Sequence, residues 1–370
     1  MLFETGTIGS LALPNRLIRS ATAERMAHPD GRPRPPMMAL YRELTLGGVG
    51  LIITGHMYVH ASGKAHPEMT GIHDDQLIPH LAELTAAVHE LGGRVAVQIN
   101  HGGMQCSRET VSGTLAPSDI EAPFLSQPAR EMTGDEIALL IQAYADAARR
   151  ARQAGFDAVQ IHGAHGYLIS EFLSPFTNRR TDAWGGDQER RTRFLRAVCQ
   201  AVRQHVGPDY PVFIKLGMMD AVEAGLALED GLRVVATLDE MGLDGVEISG
   251  GIGGGESLNT RSGIRSQADE AYFRSWAQQA RQVTPLPIAL VGGLRSREVM
   301  EDVLRSGDAD FISMSRPLIC EPDLPNRLRQ GLQDQASCIS ANRCYPEGPG
   351  EGIACRCPVD RPGDRAEAQR

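Results

Sequence analysis

The sequence predicts an α/β protein: a closed (β/α)8 barrel with an N-terminal hairpin and a short Cys-containing C-terminal extension. Three observations carry this reading. Eight short apolar runs succeed one another between residues 15 and 315, each ending in small or polar residues. Most are nearly continuous in Val, Ile, Leu and Phe, as parallel strands covered on both faces should be. Stretches of helical period lie between them. Eight such alternations in 370 residues suit one barrel domain better than a doubly wound sheet.

In chain order the runs are "NRLIRSA" (15–21), "VGLIITG" (49–55), "RVAVQIN" (94–100), "DAVQIHG" (157–163), "PVFIKLG" (211–217), "DGVEISG" (244–250), "PIALVGG" (287–293) and "ADFISMS" (309–315). Residues 74–93 put Leu77, Leu81, Leu84 and Val88 on one helical face and stop at a Gly pair. Residues 133–157 open with Thr133 and Glu136 at capping-box spacing and break at Gly155. Residues 189–207, 228–244 and 296–308 repeat the helical theme. Ahead of the first strand, "LFETGTIGSLALPNR" predicts a hairpin over the barrel floor. The connection from 101 to 132 is rich in Gly, Pro and Ser and reads as a lid. The expected organisation is a barrel over 1–335 and an extension over 336–370, whose polar end, "PVDRPGDRAEAQR", reads as disordered.

Composition excludes several classes. A net charge of −9 argues against nucleic acid or an anionic membrane as partner. No apolar run is long enough to span a bilayer, and the N-terminus lacks the pattern of a secretory signal, so a cytoplasmic protein is expected. There the 7 cysteines read as thiols, ligands or reactive groups sooner than as disulfides.

Such barrels place their chemistry at the carboxyl ends of the strands. Here those ends carry Ala21, Thr22, Gly55, Gln98, His162, Lys215, Ser249, Gly250, Gly292, Gly293, Ser315 and Arg316. The "VGGLRS" turn leads into a helix N-terminus and Arg316 follows the next strand, which together predict a phosphate site. A buried Lys215 needs an anionic or carbonyl partner: the polar edge of a flat cofactor such as FMN, or an internal carboxylate such as Glu247. "IHGAHGY" sets His162, His165 and Tyr167 within six positions. It lacks the glutamate of an HExxH zinc site, so no metal is expected there. Two imidazoles could hold a substrate oxygen, and Tyr167 could deliver a proton.

"LPNRLIRSATAERM", "GVGLIITG", "VQINHGG", "IHGAHGYLISEFLSPFTNRRTDAWGG", "RRTRF" and "ADFISMSRPLI" together resemble the Old Yellow Enzyme family, in its branch near 2,4-dienoyl-CoA reductases and NADH:flavin oxidoreductases. The resemblance implies an FMN-dependent ene-reductase, with NADH or NADPH as reductant and enones or enals as substrates. Hydride would pass from the flavin N5 to the β-carbon. By the same resemblance, Ser20, Ala21, Thr22 and Ala23 line the flavin, with Gly55 and Gln98 at its ring and Lys215 near its pyrimidine edge. Gly292, Gly293, Ser315 and Arg316 hold its phosphate. His162 and His165 bind the substrate oxygen, Tyr167 protonates the α-carbon, and Arg25 lies on the substrate side of the first loop. Ala23 departs from the Thr or Cys of relatives. Long relatives carry a 4Fe–4S cluster after the barrel; here Cys338, Cys344 and Cys355 match its ligands, but Ala341 stands where the second is expected. The set reads foremost as a degenerate motif without metal; the alternatives are Cys357 as a fourth ligand, or zinc bound by the set. Further readings are an amine dehydrogenase or demethylase of the same superfamily, and a non-catalytic flavin-binding protein. A homo-oligomer is compatible with all three.

Overall fold

The protein is described from a computed structural model that covers residues 1–253, 258–348 and 350–357. The predicted strands form β1 (Leu17–Arg19), β2 (Leu51–Ile53), β3 (Val95–Asn100), β4 (Ala158–Gly163), β5 (Val212–Gly217), β6 (Val246–Ser249), β7 (Ile288–Leu290) and β8 (Phe311–Met314). Each pairs in parallel with the next, and β8 returns to β1 with Ile312 opposite Leu17, so the barrel closes. Closure leaves none of the eight with a free edge.

Strand alternation sorts the residues. Leu17, Ile52, Val97, Val159, Ile214, Ile248 and Leu290 join the large core shared with the helices. Ile18, Leu51, Ile53, Ala96, Ala158, Phe213, Ala289 and Phe311 form a separate inner cluster. The three alanines leave room for the two phenylalanines, so the barrel interior is filled rather than hollow. The hairpin of Gly6–Ile8 with Leu11–Leu13 adds Ile8, Leu11 and Leu13 to this inner cluster, closing the floor as the sequence predicts. Two residues farther along β3, β4, β5 and β8 the inner face turns polar at Gln98, Gln160, Lys215 and Ser313, and β6 adds Glu247, all of them buried. That change of character marks where the site begins.

The outer ring comprises α1 (Pro35–Leu46), α2 (Ile78–His89), α3 (Gly134–Gln153), α4 (Gln188–Val206), α5 (Leu228–Val235), α6 (Arg274–Arg281), α7 (Arg297–Arg305) and α8 (Leu324–Gln330). The Thr133–Glu136 capping box opens α3 as expected. The stretch 228–244 does not continue as one α-helix. After Val235 its bonds mix three- and four-residue spans, as at Met241, whose N–H reaches both Thr237 O and Leu238 O. The sequence pattern does not delineate α1, α6 and α8: α1 begins at Pro35, α8 carries Pro325 as its second residue, and α6 and α8 are under three turns long.

Residues 101–132 form a short 3-10 turn at Gly103–Gln105 and a strand pair, Thr114–Ala116 with Ala129–Glu131. Arg180 ties this connection down by donating to Pro117 O and Met132 O. The extension folds back onto the barrel. Ala336 N–H reaches Arg295 O, and Ile353 N–H reaches Glu24 O in the loop after β1. The polar tail from 358 onward, expected to be disordered, lies outside the described residues. Among the described residues no helix is long and apolar enough to cross a membrane.

Candidate active site

The polar layer inside the barrel is a connected chain. Lys215 of β5 sits beside Glu247 of β6 in register, and its Nζ is 3.4 Å from Glu247 Oε2. Lys215 also donates to Ser20 Oγ (2.8 Å), and Ser20 donates to Glu247 Oε1 (2.7 Å). Gln160 donates to Glu247 Oε2 and receives from Gln98, at 2.8 and 2.7 Å. Burial pulls the Lys215 pKa down, while the charge of Glu247 and its hydrogen bond oppose that pull. The internal carboxylate is thus a partner for Lys215, as the sequence allowed. With Ser20 taking a second hydrogen, one ammonium hydrogen remains for a ligand edge.

Above this layer lie the histidines. His162 is buried at the end of β4, and its Nδ1 accepts from Ala164 N–H at 3.3 Å. Burial first, then His165, His56 and Lys215, hold its pKa well below the ordinary value. A neutral ring that accepts at Nδ1 carries its proton on Nε2, so His162 presents a donor. His165 adopts φ +65°, and its Nε2 lies 2.7 Å from Ser249 Oγ. Its pKa is depressed to about 3 by burial, then Lys215 and His56. The two rings stand edge to face, with centroids 5.3 Å apart. Tyr167 lies 4.8 Å from His162 between centroids, and burial raises its pKa, keeping the phenol protonated.

Two residues here were missed from sequence. His56 lies 4.9 Å from Tyr167 and 6.0 Å from His162 between centroids, and accepts from Asn100 Nδ2 at its Nδ1. His66 lies 5.8 Å from His56. The available signal was the spacing in "TGHMYVHASGKAH", directly after β2.

At the end of β7 and β8 a cavity of about 170 Å³ is lined by Thr22, Ala23, Gly293, Ser313, Ser315 and Arg316, with Tyr272 and Tyr345. Thr22 and Ser315 share a 2.7 Å hydrogen bond. Gly292 and Gly293 take φ +135° and +72°, and a Cβ on Gly293 would meet the Tyr272 ring at 3.1 Å. The sequence reading assigned the anion partly to the helix after "VGG". The structure corrects this: Glu270 already accepts from Arg295 N–H, Ser296 N–H and the Ser296 hydroxyl at that N-terminus. Arg316 Nη1 donates to Arg261 O and Asn342 Oδ1. Gly55 abuts Glu24 and Thr22 O, so its lack of a side chain already answers to the protein.

The cysteines also differ from expectation. Cys355 is bonded to Cys320, with Cα atoms 4.9 Å apart, and is not grouped with Cys338 and Cys344. Spacing gave no sign of this, because Cys320 reaches its partner only when the extension folds back. Cys338, Cys344 and Cys357 are free thiols. Among the described residues no group of three or more His, Cys, Asp or Glu is arranged to hold a metal ion.

A family model described as the NADH:flavin oxidoreductase / NADH oxidase family matches residues 1–335. The chain belongs to that family. It is an Old Yellow Enzyme-type oxidoreductase, with FMN as its cofactor. It is 35% identical over 364 residues to an NADH oxidase of Thermoanaerobacter brockii, covering 97% of this chain and 56% of that protein. It therefore spans little more than half the length of that relative. Among solved structures it is similar to morphinone reductase in complex with tetrahydroNAD, with a TM-score of 0.77, 27% identity and coverage of 92% and 93%. It is also similar to 6-hydroxypseudooxynicotine amine oxidase from Pseudomonas geniculata N1, with a TM-score of 0.84, 29% identity and coverage of 93% and 51%.

The residues present fit FMN. Ser313 Oγ lines the cavity, fully buried and without a hydrogen-bond partner, which is costly unless a ligand completes it. The glycine pair keeps the backbone open beside it.

Proposed function

We propose that this protein is an ene-reductase that reduces the C=C bond of α,β-unsaturated carbonyl compounds. The observation that supports it best is the pair of His162, buried, and His165, half-buried: both neutral, edge to face, and adjoining a protonated Tyr167. Bound FMN, reduced by NADH or NADPH, supplies hydride for the β-carbon.

The protein's own residues supply the rest. Negative charge collects on the substrate oxygen as the β-carbon is reduced, and neutral imidazole N–H groups aimed at it stabilise that charge without reorganising. Neutrality matters, because two cations side by side would repel in a buried site. Tyr167 O–H delivers the proton to the α-carbon, and His56 behind it holds the ring in place. Thr22, Ser315, Arg316 and the Gly292–Gly293 turn hold the phosphate of FMN. Ser20, Ala21, Ala23, Gln98 and Lys215 lie toward its ring, where Lys215, tied to Glu247, offers positive charge to the ring edge.

The test is the double variant His162→Ala/His165→Ala. Enone reduction should collapse while flavin reduction by NADH or NADPH persists; equal losses in both half-reactions sink the assignment. The similarity to an amine oxidase favours a second reading, oxidation of a C–N bond. Turnover of cyclohexenone against simple N-methylated amines separates the two. Yellow protein that oxidises no nicotinamide marks a non-catalytic binder.

A further inference from the structure

Arg25 sits in the loop after β1 with φ +54°, a left-handed backbone that non-glycine residues adopt at a cost. Its guanidinium carbon lies 5.7 Å above the Tyr345 ring. Among the described residues it makes no ion pair, and its Nε is buried without a hydrogen-bond partner. The adjacent carboxylate is already committed: Glu24 pairs with Arg19 at 2.9 Å and accepts from Tyr41 O–H and Gly55 N–H. Arg25 is close enough to His56, His66 and Tyr167 for its charge to bear on all three. His66 is only 9% exposed, yet neither of its ring nitrogens has a hydrogen-bond partner. Its nearest carboxylate, Glu68, is 3.9 Å away, beyond hydrogen-bond reach. Lys215, another cation at the mouth, is neutralised by Glu247. Arg25, half-buried, therefore stands without a counterion among the described residues, its Nε buried and unpartnered, beside a histidine with free donor and acceptor capacity. Such an arrangement is costly to bury unless a ligand brings the missing anion.

We propose that the substrate carries an oxyanion of its own, a carboxylate or phosphoryl group distinct from its activating carbonyl, held by Arg25 and His66 beside Tyr167. The proposal rests on the ene-reductase reading for the identity of the reacting bond, and on Arg25 and His66 alone for the anion. Tyr345, carried in by the extension, forms the wall of this subsite and also lines the cavity shared with Thr22 and Ala23. A guanidinium–oxyanion contact is charge-assisted, so it should favour an anionic over a neutral ligand by about tenfold or more.

The holoenzyme is tested with 3-oxocyclohex-1-ene-1-carboxylate, its methyl ester, and the matching phosphonate and phosphonate diester. The expected result is a kcat/KM at least about tenfold higher for one anion than for its ester, falling toward unity in Arg25→Gln and partly kept in Arg25→Lys. The larger of the two ratios names the group. A wild-type ratio near one, or a ratio that Arg25→Gln leaves intact, overturns the proposal. Calorimetric binding of 4-hydroxybenzoate against its methyl ester reads the subsite without turnover. If no enone is reduced at all, the ene-reductase reading fails. A preference for the carboxylate that Arg25→Gln removes still upholds the subsite, and equal binding of the two ends it.

Discussion

Ser249 Oγ lies 2.7 Å from Nε2 of His165, joining the end of β6 to a histidine whose backbone is held at φ +65°. A second restraint acts on the same residue, because Gln105 donates to His165 O. The ring is thus fixed by one strand and its backbone by the 101–132 connection. For Ser249→Ala we expect about a tenfold loss in kcat/KM for enones, the scale of one hydrogen bond, with flavin reduction nearly unchanged. Stopped-flow measurement of the two half-reactions checks it.

Tyr167→Phe removes the proton donor and keeps the ring. Loss of a positioned general acid should slow alkene reduction by about 10²–10⁴-fold. Acceptors that need no carbon protonation, such as quinones, should be spared, and a comparison of cyclohexenone with benzoquinone reads the difference.

Glu247→Gln leaves Lys215 charged and buried without its counterion. Breaking a buried pair from one side costs about 3–5 kcal/mol, so a lower melting temperature is expected. Glu247→Gln with Lys215→Met should recover part of it, and thermal melts of the three proteins decide the matter.

Acid lability follows from the histidines. Burial depresses His56 to about 4, His66 to about 2, and His101 and His165 to about 3, from 6.5. Above pH 6.5 these four are neutral folded and unfolded, so they add no pH dependence. Below 6.5 the unfolded chain takes up protons that the folded protein refuses. Stability should therefore fall as pH drops from 6.5 toward 4, each histidine contributing up to about 1.4 kcal/mol per pH unit. Urea titrations across pH 4–8 test the slope; a flat profile would mean that these rings are protonated in the folded state.

A Cβ at position 55 would overlap Glu24 Oε2 and lie 2.5 Å from Thr22 O. Glu24 cannot retreat without breaking its pair with Arg19, so Gly55→Ala should cost about 1–3 kcal/mol even in flavin-free protein. Chemical denaturation of apoprotein shows whether the glycine answers to the fold or only to the cofactor.

The sequence by itself determined the eight strands, the floor hairpin, the α3 cap and the "IHGAHGY" segment, because each depends on neighbours within a few residues. Period-two alternation allows Lys215 and Glu247 a common inner face, and the register between β5 and β6 is what sets them side by side. What only the tertiary structure decided joins residues far apart in the chain. Cys320 meets Cys355 after the extension folds back, and Glu270 fills the helix end that had seemed open to a phosphate. His56 reaches Tyr167 from another loop and His66 reaches His56, while among the described residues Arg25 is left without a counterion. Local patterns encode which element forms and which face it buries. Which charge finds its partner is settled only when the barrel closes and distant loops share its rim.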